Sequence, residues 1–398
     1  MTGFASICCG VQLCRPCLRR RRTYAFGICY SILSVLSIAI IWLLMLGGVP
    51  SSLRTPPATI HEHRADMLRR IRQTDPDDND ASPHASEQQQ RGELSNLDLY
   101  ALGCEAAKVY PAVVTSKALK WHQTPRAQLL PEGPIFDGRR FANCVAVSNS
   151  AALSGSRLGR FIDSHELVLR FNHAPTIGFE QDVGSRTDVR IVNDLVLLDR
   201  KYYVVPNFNF MNDALYRDLT ALIGWVPREE DLWNGPIIEH YFERRRLLPH
   251  ESFYMFETQG LWDIWEFLQK LVPMPIVQYT PSSGALGMFL LLHHCDVVHG
   301  VEFIPSVRFH YSYGCHYFEI YQPLPCTFFS PHPKTAEMSL WYRLNRASDE
   351  VVFGHGVTQL RGFNVTQCKG SRGMRSSPPR VDYTLLPPLG YPLSTPTS

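Results

Sequence analysis

The sequence predicts an α/β fold built on a largely parallel sheet. Two observations carry this. From Cys104 to Cys368, short β-branched runs (CVAV, LVLRF, VRIV, IVQY and VVHGVEFI) alternate with longer segments of helical spacing. That is the pattern of strands joined by crossover helices. Three consecutive runs also stop on a neutral amide, at Asn149, Asn172 and Asn193. In an open α/β sheet, ligands gather at the carboxyl ends of the parallel strands. The three amides therefore point to one polar edge.

The chain has 398 residues and a net charge of +2. It is long enough for a sizeable core, and its balance gives no reason to expect nucleic acid as a partner. No charge occurs between Arg22 and Arg54, and Tyr24–Val49 within that window is predominantly apolar. Such a segment is long enough to cross a bilayer as a helix. Without a small-residue cleavage site it reads as an uncleaved anchor. Arg15 and Arg19 to Arg22 precede it, and only Arg54 and Arg64 follow closely. The positive-inside rule leaves residues 1–23 in the cytoplasm and the rest in a lumen.

The cysteines divide in the same way. Cys8, Cys9, Cys14, Cys17 and Cys29 lie at or before the anchor; Cys104, Cys144, Cys295, Cys315, Cys326 and Cys368 lie beyond it. An even set beyond the membrane fits three disulfides in an oxidising compartment, with 15 pairings open from sequence alone. The sequon Asn364-Val365-Thr366 is compatible with that compartment. Cys14 to Cys17 form a C-x-x-C without a second ligand pair, so reduced or lipid-modified thiols are preferred to zinc.

Residues 50–100 are polar, centred on TDPDDNDASPHASEQQQ, and read as a flexible stem that cannot bury enough apolar surface to order itself. Its Asp75-Pro76-Asp77 and Asp78-Asn79-Asp80 are solvated charges rather than metal ligands. A folded domain is expected over residues 101–370. The Pro/Ser-rich residues 371–398 read as a disordered tail.

Within the domain, the strands are expected at Cys144–Ser148, Leu167–Phe171 and Asp188–Val192, followed by IVQY, a helix and VVHGVEFI. A primary amide carries donors and acceptors without charge, which suits ribose hydroxyls, a pyrimidine edge and a phosphate. Each asparagine alone is better explained as a helix cap or turn residue; three strand ends in one unit shift the balance towards a site. Pro281-Ser282-Ser283-Gly284 suits a helix start, and a helix N-terminus with two hydroxyls is an anion site. His293, His294 and Cys295 are consecutive and point in different directions on a helix, which argues against a metal cluster. SNSAALSGSRLG lacks the Gly-x-Gly-x-x-Gly of a dinucleotide-binding dehydrogenase.

These stretches resemble the sialylmotifs of animal sialyltransferases. CVAVSNSAALSGSRLGRFIDSHELVLRFNHAPTIGFEQDVGSRTDVRIVND looks like the large motif and PSSGALGMFLLLHHCDVVHGVEFI like the small one. HYFE at His316 to Glu319 resembles the third motif, and HPKTAE, His332 to Glu337, the very small one. LWDIWEFLQ and the outer cysteine pair are similar to the β-galactoside α-2,6 branch. The resemblance implies a variant GT-A, Rossmann-like catalytic domain on a Golgi type II membrane protein. It implies CMP-sialic acid as donor, galactose-terminated glycans as acceptors, no cofactor or metal, and room for a homodimer. It further implies the pairs Cys144–Cys295, Cys315–Cys326 and Cys104–Cys368. By the same resemblance Asn149, Asn172, Asn193, Ser282, Ser283 and Gly284 hold CMP, His316 stands near the donor and His332 is the base. Glu337 is assigned an orienting role.

The chemistry of the residues agrees. A sugar hydroxyl is a weak acid, and histidine is the side chain whose ordinary pKa suits a base near neutrality. A helix N-terminus and serine hydroxyls can meet the charge of a departing monoester phosphate. Two positions depart from the α-2,6 galactoside pattern, Leu195 where Gln is expected and Pro331 where Tyr is expected. Both bear on the acceptor and leave GalNAc- or lipid-linked acceptors open. Two other readings remain beside these: a CMP-sugar-binding protein without turnover, and a membrane adaptor whose lumenal domain is only a scaffold.

Overall fold

The computed structural model describes residues 93–117, 124–198, 210–308, 315–319, 331–366, 368 and 382–388, all within the unit Pro56–Ser398. In chain order its helices and strands are α1 (Leu99–Ala106), β1 (Phe141–Val147), α2 (Gly159–Asp163), β2 (Leu167–Phe171), α3 (Glu180–Val183), β3 (Val189–Val192), α4 (Asp194–Leu197) and β4 (Ala221–Gly224). There follow α5 (Glu229–Trp233), α6 (Pro236–Leu247), β5 (Phe253–Met255), α7 (Thr258–Leu271), α8 (Ser283–His294), β6 (Cys295–Val301), α9 (Lys334–Leu344) and β7 (Val357–Arg361).

The strands form one seven-stranded sheet in the order β5-β4-β3-β2-β1-β6-β7. All neighbours are parallel except β6 and β7. The sheet is buried on both faces, which is why its strands read as apolar runs rather than alternating ones. One face carries Cys144, Ala146, Leu169, Ile191 and Ile223 against α7, α8 and α9. The other carries Val145, Val147 and Val168 against α2, and Val192, Leu222 and Phe253 against α4 and α6. Sequence order reverses across β1, which lies between β2 and β6; this is the switch point at which such sheets bind ligands.

Three expected strands are present, with β1 starting at Phe141 and β3 at Val189. The expected strand IVQY is not one. Its backbone groups go elsewhere: Ile276 N–H donates to Gln269 Oε1 at 2.8 Å and Gln278 O accepts Trp265 Nε1–H at 3.1 Å. Prolines at 273, 275 and 281 also remove ladder donors. β4, β5 and β7 escaped the sequence reading. ALIG and FYM are too short to show a period, and VTQLR is half polar.

The folded body exceeds the expected 101–370. Leu94 is buried and its N–H donates to Lys270 O at 2.9 Å. The expected disordered tail contains a folded piece. Tyr383, Leu385 and Leu386 pack on the core behind β1, with the Tyr383 ring stacked on Phe161 at 6.4 Å and edge-on to His299 at 6.2 Å. Proline-rich composition concealed three apolar side chains that have a surface to cover. Among the described residues no helix is long and apolar enough to cross a membrane; the expected anchor Tyr24–Val49, the cytosolic cysteines and the acidic stem pairs lie outside them.

Cys144–Cys295 and Cys104–Cys368 are disulfides. Cys315 is disulfide-bonded as well; its expected partner Cys326 lies outside the described residues. The first bridge joins β1 to β6 in the core and closes a separation of 151 residues. Replacing both Cys144 and Cys295 by alanine is expected to cost about 2–5 kcal/mol of stability, read as a lower urea midpoint.

Beneath Tyr383 lies a buried histidine pair. His165 Nδ1–H donates to Phe161 O at 2.9 Å, so its Nε2 accepts the Nδ1–H of His299 at 2.8 Å. Burial lowers the pKa of His165 to about 4 and that of His299 well below its ordinary value. The unfolded chain takes up these protons near pH 6.5 and the folded chain does not. Stability is therefore complete above pH 6.5 and falls as pH drops toward 4, by about 1.4 kcal/mol per unit for each histidine held neutral. Denaturant titrations at pH 7.5 and pH 5 are expected to show the lower midpoint at pH 5.

Candidate active site

The parallel register sets Asn149, Asn172, Asn193 and Trp225 just beyond the carboxyl ends of β1, β2, β3 and β4. Asn172 turns the chain with φ of 50°, a left-handed conformation that asparagine tolerates better than most residues. Its Oδ1 accepts the N–H of Asn193 at 3.1 Å, and Asn193 in turn caps α4, accepting from Val196 N at 3.2 Å. Both amides thus have structural work. Asn149 differs. Its carbonyl accepts Tyr317 N–H at 3.1 Å, but its side-chain Oδ1 is buried with no partner. A buried acceptor left unpaired costs about 1–3 kcal/mol, and among the three rim amides this is the one whose side-chain oxygen has no partner among the described residues.

His316 is brought to the same place by a bridge between Ser150 and His316. Its Nδ1 meets Glu319 Oε1 at 2.5 Å, and its ring stacks on Phe318 at 5.3 Å. Phe318 packs edge-on against His173 at 5.0 Å, in the loop after Asn172. His173 is held neutral, its pKa lowered to about 4 chiefly by burial and then by the neighbouring His316.

The N-terminus of α8 reaches this edge through Trp225, whose Nε1–H donates to Ser283 Oγ at 2.8 Å. The two serines take different parts. Ser282 is the cap: its Oγ accepts Ala285 N–H at 3.0 Å and gives its one proton to Glu337 Oε2 at 2.6 Å. Ser283 Oγ accepts from Trp225, which leaves its own proton for an anion. Gly284 is required by packing, since a Cβ there would lie 2.9 Å from the Phe303 ring.

Glu337 was expected to orient His332. Its carboxylate instead binds Ser282, through the N–H at 2.7 Å and the hydroxyl at 2.6 Å. Of the four intervening residues the last three open α9 and turn Glu337 inward, where it is buried. His332 is held by Thr280: its Nδ1 lies 2.9 Å from Thr280 O and 3.4 Å from Thr280 Oγ1. Donation from Nδ1 to a carbonyl leaves the lone pair on Nε2, the form a general base needs. Pro331 O accepts the N–H groups of Tyr279 and Thr280 at 3.1 and 3.4 Å, which closes this junction. Leu195 lies in α4, 37% exposed. Asn364 is exposed, outside the site. Among the described residues no group of three or more His, Cys, Asp or Glu could hold a metal ion.

The model of glycosyltransferase family 29 (sialyltransferase) matches residues 102–348. The chain belongs to this family. Beta-galactoside alpha-2,6-sialyltransferase 2 of Bos taurus is 35% identical over 263 residues, 63% of this chain and 50% of that one. The protein of the same name from Danio rerio is 35% identical over 252 residues, 61% and 47% of the two chains. This family member thus spans about half the length of those relatives. A solved mammalian sialyltransferase, 18% identical, covers 70% of this chain and 81% of its own with a TM-score of 0.33.

Trp225, Thr280 and Arg190 were missed in the sequence. Trp225 follows a strand too short to be seen, and Thr280 acts through its carbonyl, which has no sequence signature. Arg190 lies buried inside an apolar run and donates to Asn172 O at 2.8 Å and Ala174 O at 3.1 Å. Glu337→Ala would leave the N–H and hydroxyl of Ser282 without their partner. A loss of about 1–3 kcal/mol is expected, with Glu337→Gln milder because its amide can serve both groups; urea denaturation measures the difference.

Proposed function

We propose that this family 29 member transfers sialic acid from CMP-sialic acid to the 6-hydroxyl of a terminal galactose on glycoprotein glycans. The product is an α-2,6 linkage. The observation that carries the reading is the junction at residues 279–282: one backbone segment holds the imidazole of His332 and leads directly into the capped N-terminus of α8.

The residues divide the reaction between them. His332 Nε2 takes the proton from the acceptor hydroxyl as that oxygen attacks the anomeric carbon. The bond from that carbon to the CMP phosphate breaks on the opposite side, so the configuration inverts. The phosphate charge is met by the Ser283 hydroxyl, the first N–H groups of α8 and the positive end of its dipole. A monoester phosphate stabilised in this way needs no metal ion. Asn149 Oδ1 offers an acceptor to the nucleotide, and His316 stands at the same edge. On this reading the chain is a Golgi type II membrane protein with its catalytic domain in the lumen.

A second reading keeps the chemistry and changes the acceptor to a GalNAc- or lipid-linked sugar. The exposed Leu195, an apolar group where a polar one is expected, favours it.

Incubation with CMP-sialic acid and a panel of acceptors in EDTA tests both. Transfer to terminal galactose is expected to survive chelation and to fall by about 10²–10⁴ in His332→Ala, the usual contribution of a general base. Linkage analysis of the product separates the 6-hydroxyl from other positions. Tight CMP binding without transfer to any acceptor would sink the reading.

A further inference from the structure

We propose that Tyr279 is the face on which the acceptor sugar stacks, with Trp262 fixing its ring. This rests on the transfer reading above and adds where the acceptor lies.

The segment from Met274 to Thr280 has no strand neighbour, yet it is firmly held. Gln269 spans it, accepting from Ile276 N at 2.8 Å and donating to Met274 O at 2.8 Å. Trp265 donates to Gln278 O at 3.1 Å, and Tyr279 N–H donates to Pro331 O at 3.1 Å. Three side-chain bonds from α7 and one backbone bond thus fix an extended stretch whose alternate side chains face opposite ways. Gln278 and Thr280 turn inward, whereas Val277 is 86% and Tyr279 55% exposed. Nothing in the core asks for an aromatic ring at 279.

Tyr279 is nevertheless not a loose surface side chain. Trp262 meets it edge to face, with centroids 5.5 Å apart at 73°, and Trp265 backs Trp262 at 6.5 Å. A flat exposed ring held edge to face by a second aromatic ring suits galactose. One face of that sugar presents only C–H groups to an aromatic ring.

The position relative to His332 selects the occupant. Thr280 O holds the imidazole at 2.9 Å, and Tyr279 is the next residue, about 3.3 Å along an extended chain. A sugar over Tyr279 therefore lies beside the segment that holds the base, and Val277 is the next side chain on the same face.

The test uses the full chain in detergent, with N-acetyllactosamine varied at saturating CMP-sialic acid. Tyr279→Ala is expected to raise the acceptor KM about tenfold, the worth of one stacked ring. The kcat and the KM for CMP-sialic acid should stay close to wild type, and Tyr279→Phe should restore the acceptor KM. An unchanged acceptor KM in Tyr279→Ala overturns the proposal. So does a parallel loss in both substrates, or a phenylalanine variant as impaired as alanine. If the wild-type chain transfers nothing, the activity reading fails separately. Saturation-transfer NMR of N-acetyllactosamine with CMP present then decides: a contact seen in wild type and lost in Tyr279→Ala supports the platform, and no contact in wild type overturns it.

Discussion

The pairing of β1 with β6 is the constraint on which the rest of the site depends. It is the longest strand pairing that crosses the switch point, running from Phe141↔Cys295 to Val147↔Val301, and Cys144–Cys295 locks it covalently. β1 ends just before Asn149. β6 begins where α8 ends, with no intervening residue. Fixing β6 against β1 therefore fixes α8 across the sheet, and a 12-residue helix carries its N-terminus back to the carboxyl edge. The same pairing thus brings the unpartnered Asn149 acceptor and the α8 donors to one edge.

Glu337 adds the second joint. A carboxylate at a helix N-terminus is favoured by the dipole, and here it also satisfies a cap residue that would otherwise have a spare proton. Its cost is a buried negative charge. That cost is limited because both carboxylate oxygens are taken by Ser282. What Glu337 secures is geometry: α9, which follows His332, is tied to the start of α8, so on the proposed reading base and phosphate donors are held together. Assigning the glutamate to the histidine reversed the roles, because spacing along a chain does not say which neighbour from another element lies closer.

Much of the architecture was legible because β2, β3 and β6 are buried on both faces and mostly apolar, a signal that survives without an alignment. The short β4 and β5 were not, since three or four residues carry no period. IVQY misled for the opposite reason: it has strand composition, but its backbone is satisfied by Gln269 and Trp265, whose part only the fold reveals. At the candidate site, residues with side chains of telling type, such as His332 and Ser283, could be named from the sequence and lie on joined segments. Thr280 acts through a carbonyl that every residue has, and Trp225 through its position after an unseen strand. Tyr383 was concealed by its proline-rich surroundings.

The neutral amides at the rim have their explanation beneath it. Arg170 and Arg190 are paired in register on β2 and β3 and buried side by side. Burial lowers the pKa of Arg170 to about 10 and also lowers that of Arg190. Two adjacent buried cations need partners for most of their donors, and of the two only the Arg190 Nε is buried without one among the described residues. Arg170 binds Val183 O and Arg186 O, and Arg190 binds Asn172 O and Ala174 O. Those bonds draw the Asn172 carbonyl inward, and the left-handed turn that results aims its side chain at Asn193. The rim thus receives positive potential from below without a charged side chain at its surface. On the proposed reading the donor brings both a phosphate and a carboxylate. A rim of lysines would hold such a ligand in its ground state as tightly as in its transition state, and would not speed the step. Neutral amides orient it and leave the differential work to Ser283 and the α8 N–H groups, at the atom where charge develops.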